Sequence, residues 1–313
     1  MVRWGLSLNL ALKVDVDTYR GTRRGVPNLV ELFKKHAAEA TFLFSLGSDN
    51  TGRAIKRVFR RGFMGKVRRT SVLSHYGLLT LMYGTVLPGP DIGRRCAEIM
   101  RRVRDEGFEV GIHTYDHVRW QDHVGEEGQA WTRRQMELAC NRFRDIFGTD
   151  PKVHGAAGWC MNRHAYRLTQ LLGFGYCSDT RGTRPYVPVY EAEIVACPQL
   201  PTTLPTLDEL IGLDGVTASN VAERVLELSR DPPPSGHVFT LHAELEGMKL
   251  APVLERLLEG WRAMGYRLTS LREYFESLPD KNLPRHETAV GQVPGRSGTL
   301  ALQGPEFLAT TTA

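Results

Sequence analysis

The chain has 313 residues, 42% hydrophobic and 24% charged, enough for one large α/β barrel or two modest domains and inconsistent with a disordered or fibrous protein. Five cysteines (Cys96, Cys140, Cys160, Cys177, Cys197) with no C-x-x-C spacing exclude a disulfide framework or zinc knuckle and read as buried thiols of a cytoplasmic protein. The net charge of +5 comes from one segment: Asn50 to Pro90 holds eight basic residues and no acidic one, leaving 32 basic against 35 acidic elsewhere.

A first strand is predicted over 6–16, ending on Asp15 and Asp17. Its apolar run is interrupted by Lys13 and Asp15 and lacks a cleavage site, so no secretory signal is expected. A helix over 27–37 opens on Pro27 and carries the stripe Leu29, Leu32, Phe33. Strand 41–46 leads into an insertion over 48–92. Its basic half is followed by 70–90, free of formal charge and rich in Leu, Tyr and Met. Ser, Thr, His, Gly and Pro break that run, whereas a bilayer-spanning helix needs about 20 predominantly apolar residues. An element lying in the interface of an anionic membrane is expected, the alternative being a solvated basic helix beside an ordinary core helix. Nucleic acid is disfavoured, because the basic residues adjoin Leu and Met more than a stacking platform.

A helix over 91–106, strand 108–112, helix 128–147, strand 152–156, helix 162–172 and strands 174–178 and 193–197 follow. Helix 218–229, strand 237–241 and helices 251–264 and 270–277 complete the alternation. It implies a parallel sheet, and this many units suggests a closed or nearly closed barrel over 1–279. No G-x-G-x-x-G follows the first strand, which argues against a Rossmann fold. The Pro- and Gly-rich tail over 280–313 is expected to carry little core and to be ordered only in part.

Several apolar runs end on a reactive residue: Asp15 and Asp17, His113, Asp179 and His242. In βα folds such strand ends gather on one face and carry the chemistry. Asp15 and Asp17 leave the same face of their strand, with Val14 and Val16 turned toward the helices. Two carboxylates on an inner rim are costly unless a cation neutralises one. His113 and His117 can clamp a divalent metal from two directions, and one Asp completes a set with positions left open for water and substrate. Asp116 can fix a histidine tautomer. His242, across the barrel mouth, suits a proton donor; Asp179 can orient it, or can equally pair with Arg181 or Arg184.

Asp15-Val16-Asp17, His113 to His117 and Leu241-His242 resemble the first, second and fifth motifs of the metal-dependent polysaccharide deacetylase (NodB-homology) superfamily. The resemblance implies a distorted (β/α)7 TIM-like barrel. It also implies Asp15 as base, Asp17, His113 and His117 as ligands of one divalent ion (Zn, Mn or Co), and His242 as acid. Within that superfamily the chain is most similar to the 4-deoxy-4-formamido-L-arabinose-phosphoundecaprenol deformylases. The likeness is carried by Asp15 to Thr22, Asp116 to Gln121, Ala156 to Trp159, Ser178 to Gly182, Leu204 to Glu209 and His242 to Gly247. Such an enzyme hydrolyses the formamide of a polyprenyl-phosphate-linked aminosugar for lipid A modification, as a peripheral protein on the cytoplasmic face of the bacterial inner membrane.

The resemblance further implies substrate contacts at Arg20, Tyr115, Trp120, Trp159, Arg181 and Glu244. The alternative activity is an N-deacetylase of another N-acetylated polysaccharide or glycolipid. A non-catalytic binder of carbohydrate-lipids is disfavoured by the complete residue set. Two departures stand out. Val16 separates two aspartates that are adjacent in the superfamily. The third motif reads Gly155-Ala156-Ala157-Gly158-Trp159, without the Arg that supports the base, for which Arg181 is a speculative replacement.

Overall fold

The computed structural model describes residues 8–54 and 78–308. Strand β1 (Leu8–Val16) sets the architecture. Leu10, Leu12, Val14 and Val16 are buried against the surrounding helices, while Ala11, Lys13 and Asp15 leave from the opposite face into the barrel. Parallel pairing runs in the order β5 (Tyr176–Cys177), β4 (Val153–His154), β3 (Glu109–Thr114), β2 (Thr41–Ser45), β1, β8 (His237–His242). A seventh strand, β9 (Tyr266–Thr269), pairs with Leu8 to Ala11 of β1, below β2, which takes Lys13 to Val16. The gap between β5 and β8 is crossed by the extended segment 199–203. There Leu200 N–H donates to Cys177 O at 2.7 Å and Thr203 N–H to Val238 O at 3.0 Å. A distorted seven-stranded barrel results, as the strand–helix alternation implies.

Two apolar layers stabilise it. The larger lies between barrel and helices. Helix α1 (Val26–Lys35) contributes Leu29, Val30 and Phe33, and α6 (Gln129–Phe147) contributes Met136, Cys140, Phe143 and Phe147 at helical spacing. The smaller fills the barrel. Ala11, Leu43, Val153, Tyr176, Leu200 and Val238 meet Leu271 and Tyr274 of α11 (Leu271–Glu276), which plugs the end where the strands begin. The end where the strands finish is left for chemistry.

Three expectations need adjustment. The helix expected over 91–106 is broken into α3 (Ile92–Arg95) and α4 (Ala97–Asp105) at Cys96, whose φ of −115° leaves the helical range. The strand expected at 193–197 is only β7 (Glu193–Ile194). It pairs antiparallel with β6 (Val187–Tyr190) outside the barrel. The tail folds back as β10 (Arg285–Gly291) and β11 (Leu300–Glu306), giving a second sheet in the order β11-β10-β6-β7. Arg181 N–H donates to Ala301 O at 2.9 Å and Gln303 N–H to Arg181 O at 2.8 Å, which fastens this sheet to the barrel rim.

Of the basic and apolar insertion, residues 55–77 lie outside those described. Its flanks are clamped together: Gly52 N–H donates to Tyr83 O at 3.0 Å and Arg53 Nε to Gly84 O at 2.7 Å. Among the described residues, no helix is long and apolar enough to cross a membrane.

Candidate active site

Register brings the chemistry together. Asp15 of β1 lies directly beside His242 of β8. Between β2 and β3 the pairing steps from Phe44–Ile112 to Ser45–Thr114, so His113 is an extra residue on β3. Such a bulge re-aims a side chain at the end of a strand. The His113 Nε2 lies 3.2 Å from Asp17 Oδ1, and His117 Nε2 lies 3.5 Å from Asp17 Oδ2. One ligand atom from each of the three falls within 4.8 Å of the others.

His117 opens α5 (His117–His123), whose N-cap is Asp116. The Asp116 carboxylate accepts from Arg119 N–H at 3.0 Å and Asn50 Nδ2 at 2.7 Å, so it caps the helix and does not orient a histidine. The tautomer of His113 is set by the backbone instead. Its Nδ1–H donates to Gly155 O at 2.7 Å, which turns the Nε2 lone pair toward Asp17.

The donor set fits one divalent cation. Asp17 Oδ1 is buried and has no hydrogen-bond partner. Burial would raise the Asp17 carboxyl, but His117, His113 and His242 together hold it well below the usual carboxylate range. Burial pushes His117 down to about 4, leaving a neutral imidazole with a free lone pair. Two nitrogens and a carboxylate with open positions suit Zn²⁺, Mn²⁺ or Co²⁺ alike.

Asp15 is held by a residue that the motif reading passes over. Lys13 Nζ lies 3.1 Å from Asp15 Oδ2, and both side chains are buried. The same ammonium sits 5.0 Å from the centre of the Trp159 ring. Gly155 makes room for it: a Cβ there would lie 3.0 Å from Lys13 Cε and 2.4 Å from Leu43 Cδ1. The cation beside Asp15 thus comes from the same strand, β1. Arg181 is not its replacement, for its Nη1 is bonded to both Glu209 oxygens, at 2.7 and 2.9 Å.

Trp159 is the hub of this region. It follows Gly158 with φ of 54° after 61°, two successive left-handed residues, the second being strained for a non-glycine residue. Its indole donates to Thr202 Oγ1 at 3.2 Å, and Arg181 and Arg296 also approach its ring.

His242 is on the strand next to Asp15, not across the barrel mouth as expected, and its Nδ1 lies 3.8 Å from Asp208 Oδ1, in the short helix α8 (Leu207–Leu210). The His242 N–H donates to Glu246 Oε2 at 2.8 Å. Burial works against the protonated ring, yet Asp208, Asp17, Glu246 and Asp15 outweigh it and raise His242 to about 9.

Asp179 does not meet His242. It is fully buried, accepting from His154 Nδ1 at 2.7 Å, Ala156 N–H at 2.8 Å and Gln199 Nε2 at 3.0 Å, and so braces the 155–159 loop. Arg184 pairs elsewhere, with Glu306 at 3.0 Å. Glu244 Oε1 accepts from Asp17 N–H at 3.1 Å, Thr18 N–H at 2.7 Å and Thr18 Oγ1 at 2.8 Å, which holds the ligand loop in place. Trp120 is buried and donates to Cys160 O at 2.7 Å, a packing role. Arg20 and Tyr115 are half-buried, Arg20 in the helical segment that follows β1 and Tyr115 in the bend that follows β3.

The family described as polysaccharide deacetylase matches residues 10–177. A protein of Shewanella sediminis named "Probable 4-deoxy-4-formamido-L-arabinose-phosphoundecaprenol deformylase ArnD" is 35% identical over 94% of each chain. A protein of the same name from Wigglesworthia glossinidia brevipalpis is 31% identical over 90% of this chain and 98% of its own. Among solved structures, a protein of Mycobacterium smegmatis described as a "putative polysaccharide deacetylase" superposes with a TM-score of 0.62 at 15% identity, covering 93% of this chain and 98% of that one. The chitin deacetylase of Colletotrichum lindemuthianum gives 0.54 at 18% identity, covering 88% and 89%. These likenesses concern the fold.

Proposed function

The chain belongs to the polysaccharide deacetylase family, and from that premise we propose that it is a metal-dependent deformylase. The substrate is undecaprenyl-phosphate-linked 4-deoxy-4-formamido-L-arabinose, and the products are the free amine and formate, in the modification of lipid A with aminoarabinose. Likeness to the two named deformylases over nearly the whole chain supports the substrate. The observation that carries the chemistry is the Asp17–His113–His117 cluster, with Asp15 and His242 beside it on the paired strands β1 and β8.

Asp17, His113 and His117 would hold the ion, whose chemistry is Lewis-acid polarisation of the formyl oxygen and of water. Asp15, held by Lys13, takes a proton from water as its oxygen bonds to the formyl carbon. His242 delivers a proton to the nitrogen as the C–N bond breaks, and the nearby Asp208 carboxylate favours the charged imidazole. Formate leaves, and the sugar retains an amine that takes up a proton in water.

The lipid-linked substrate stays in a bilayer, which accounts for the basic and apolar insertion. We place the protein at the cytoplasmic face of the inner membrane, peripherally bound. Formate release from the formylated lipid, with and without chelator, tests the activity. An acetamide analogue in parallel tests the N-deacetylase alternative. Chelator-sensitive release from the formamide and none from the acetamide is expected; the reverse preference would replace this reading.

A further inference from the structure

The C-terminal hairpin returns a guanidinium to the mouth of the site. β10 and β11 are joined by residues 292–299, and within them Gly295 adopts φ of 78° directly against α8. A Cβ on Gly295 would lie 1.9 Å from Glu209 O, so only glycine permits this packing. The contact sets Arg296 Cζ 4.8 Å from the centre of the Trp159 ring. Gly158, at φ of 61°, also clears the way, since a Cβ there would lie 3.0 Å from Arg296 Nη2.

Among the described residues Arg296 has no tight acidic partner of its own. Its Nη1 is 3.9 Å from Glu209 Oε1, and that carboxylate is already engaged at 2.7 and 2.9 Å by Arg181. Arg181 is 9% exposed but Arg296 is 21% exposed, so the latter is the one that can meet a ligand. Its charge also reaches Asp208, the partner of His242, and helps hold that carboxyl below its usual range. Glu209 is engaged by Arg181, which leaves the Arg296 guanidinium as the more exposed cation at this rim.

In a 4-formamido pyranose the anomeric oxygen lies across the ring from the reacting nitrogen. A phosphodiester on that oxygen projects one sugar-width from His242. Resting on the deformylase reading, we infer that Arg296 binds this phosphodiester, its planar fork receiving two oxygens of the monoanion that joins sugar to lipid. The tail is then part of the substrate site, delivered to it by the small sheet.

Two soluble substrates test the assignment: a short-chain prenyl phosphodiester of the formamido sugar, and its neutral methyl glycoside. In the wild type, kcat/KM favours the phosphodiester, through KM. Arg296→Gln lowers that preference by about tenfold or more, and Arg296→Lys recovers part of it. An equal loss on both substrates, or no loss, overturns the inference and leaves Arg296 as a strap over Trp159. Wild-type protein that releases formate from neither substrate sinks the deformylase reading instead. Titration of short-chain prenyl phosphate against wild type and Arg296→Gln then decides: weaker binding by about tenfold in the variant upholds the subsite, and equal affinity overturns it.

Discussion

Lys13 and Asp15 form a buried ion pair two residues apart on a single strand, Nζ to Oδ2 3.1 Å. Alternation on β1 makes this possible, since both side chains leave the same face. Removing one partner strands the other in the barrel interior, which costs about 3–5 kcal/mol for a buried pair. Lys13→Met is expected to lose that much in urea denaturation at neutral pH. The double variant Lys13→Met/Asp15→Asn, with no lone charge, should regain most of the stability and none of the activity. A single variant as stable as the wild type would mean that the pair does not stabilise the fold.

The pH profile reports on His242. A general acid must hold its proton, so kcat/KM should fall as pH rises through the pKa of this group, which is raised from 6.5 to about 9. Asp208 is the foremost of the carboxylates that raise it. Asp208→Asn should therefore move the basic limb to lower pH, toward the ordinary imidazole value, at a metal content equal to the wild type. An unmoved limb would remove Asp208 from the mechanism.

Metal content separates ligands from acid. Asp17→Ala and His113→Ala should lose the ion and the activity together, measured by elemental analysis of purified protein. His242→Ala should keep the ion and lose about 10²–10⁴-fold in kcat, the contribution typical of a positioned proton donor. Full metal content in both Asp17→Ala and His113→Ala would overturn the ligand assignment.

How far the site is legible in the sequence follows from where each residue sits. Asp15, Asp17, His113 and His242 stand out because each ends an apolar run, and strand ends converge in a βα barrel. Lys13 hides inside such a run, where it reads only as an interruption. Its role needs both the inward face shared with Asp15 and the space left by Gly155, 42 residues from His113 in sequence. Asp208 lies on a single turn of helix after Leu204-Pro205-Thr206, with no periodicity to mark it, and meets His242 only in the folded chain. Asp179 shows the opposite case, a strand-end carboxylate whose partners are His154, Ala156 and Gln199 within the wall. The barrel strands are recoverable from hydrophobicity, whereas β6, Val187-Pro188-Val189-Tyr190, is short, carries a proline and pairs with the distant tail.

The insertion should be separable from the barrel. It leaves the rim after β2, and its flanks are tied by the Gly52–Tyr83 and Arg53–Gly84 hydrogen bonds and by Asp49 N–H donating to Pro90 O at 3.0 Å. Leu79, Val86 and Leu87, on the returning flank, are 58%, 71% and 36% exposed, unusual for apolar residues beside a well-packed rim. Residues 55–77 add seven of the eight basic side chains of the segment, each worth about 1 kcal/mol near an anionic surface. Replacing 55–77 by a short Gly/Ser linker should leave the melting temperature and the turnover of a soluble formamide substrate near wild type. The same variant should no longer sediment with phosphatidylglycerol vesicles and should turn over the long-chain lipid substrate poorly. Sedimentation equal to the wild type would show that the membrane contact lies elsewhere, since the charge that attracts the surface would have been removed without effect.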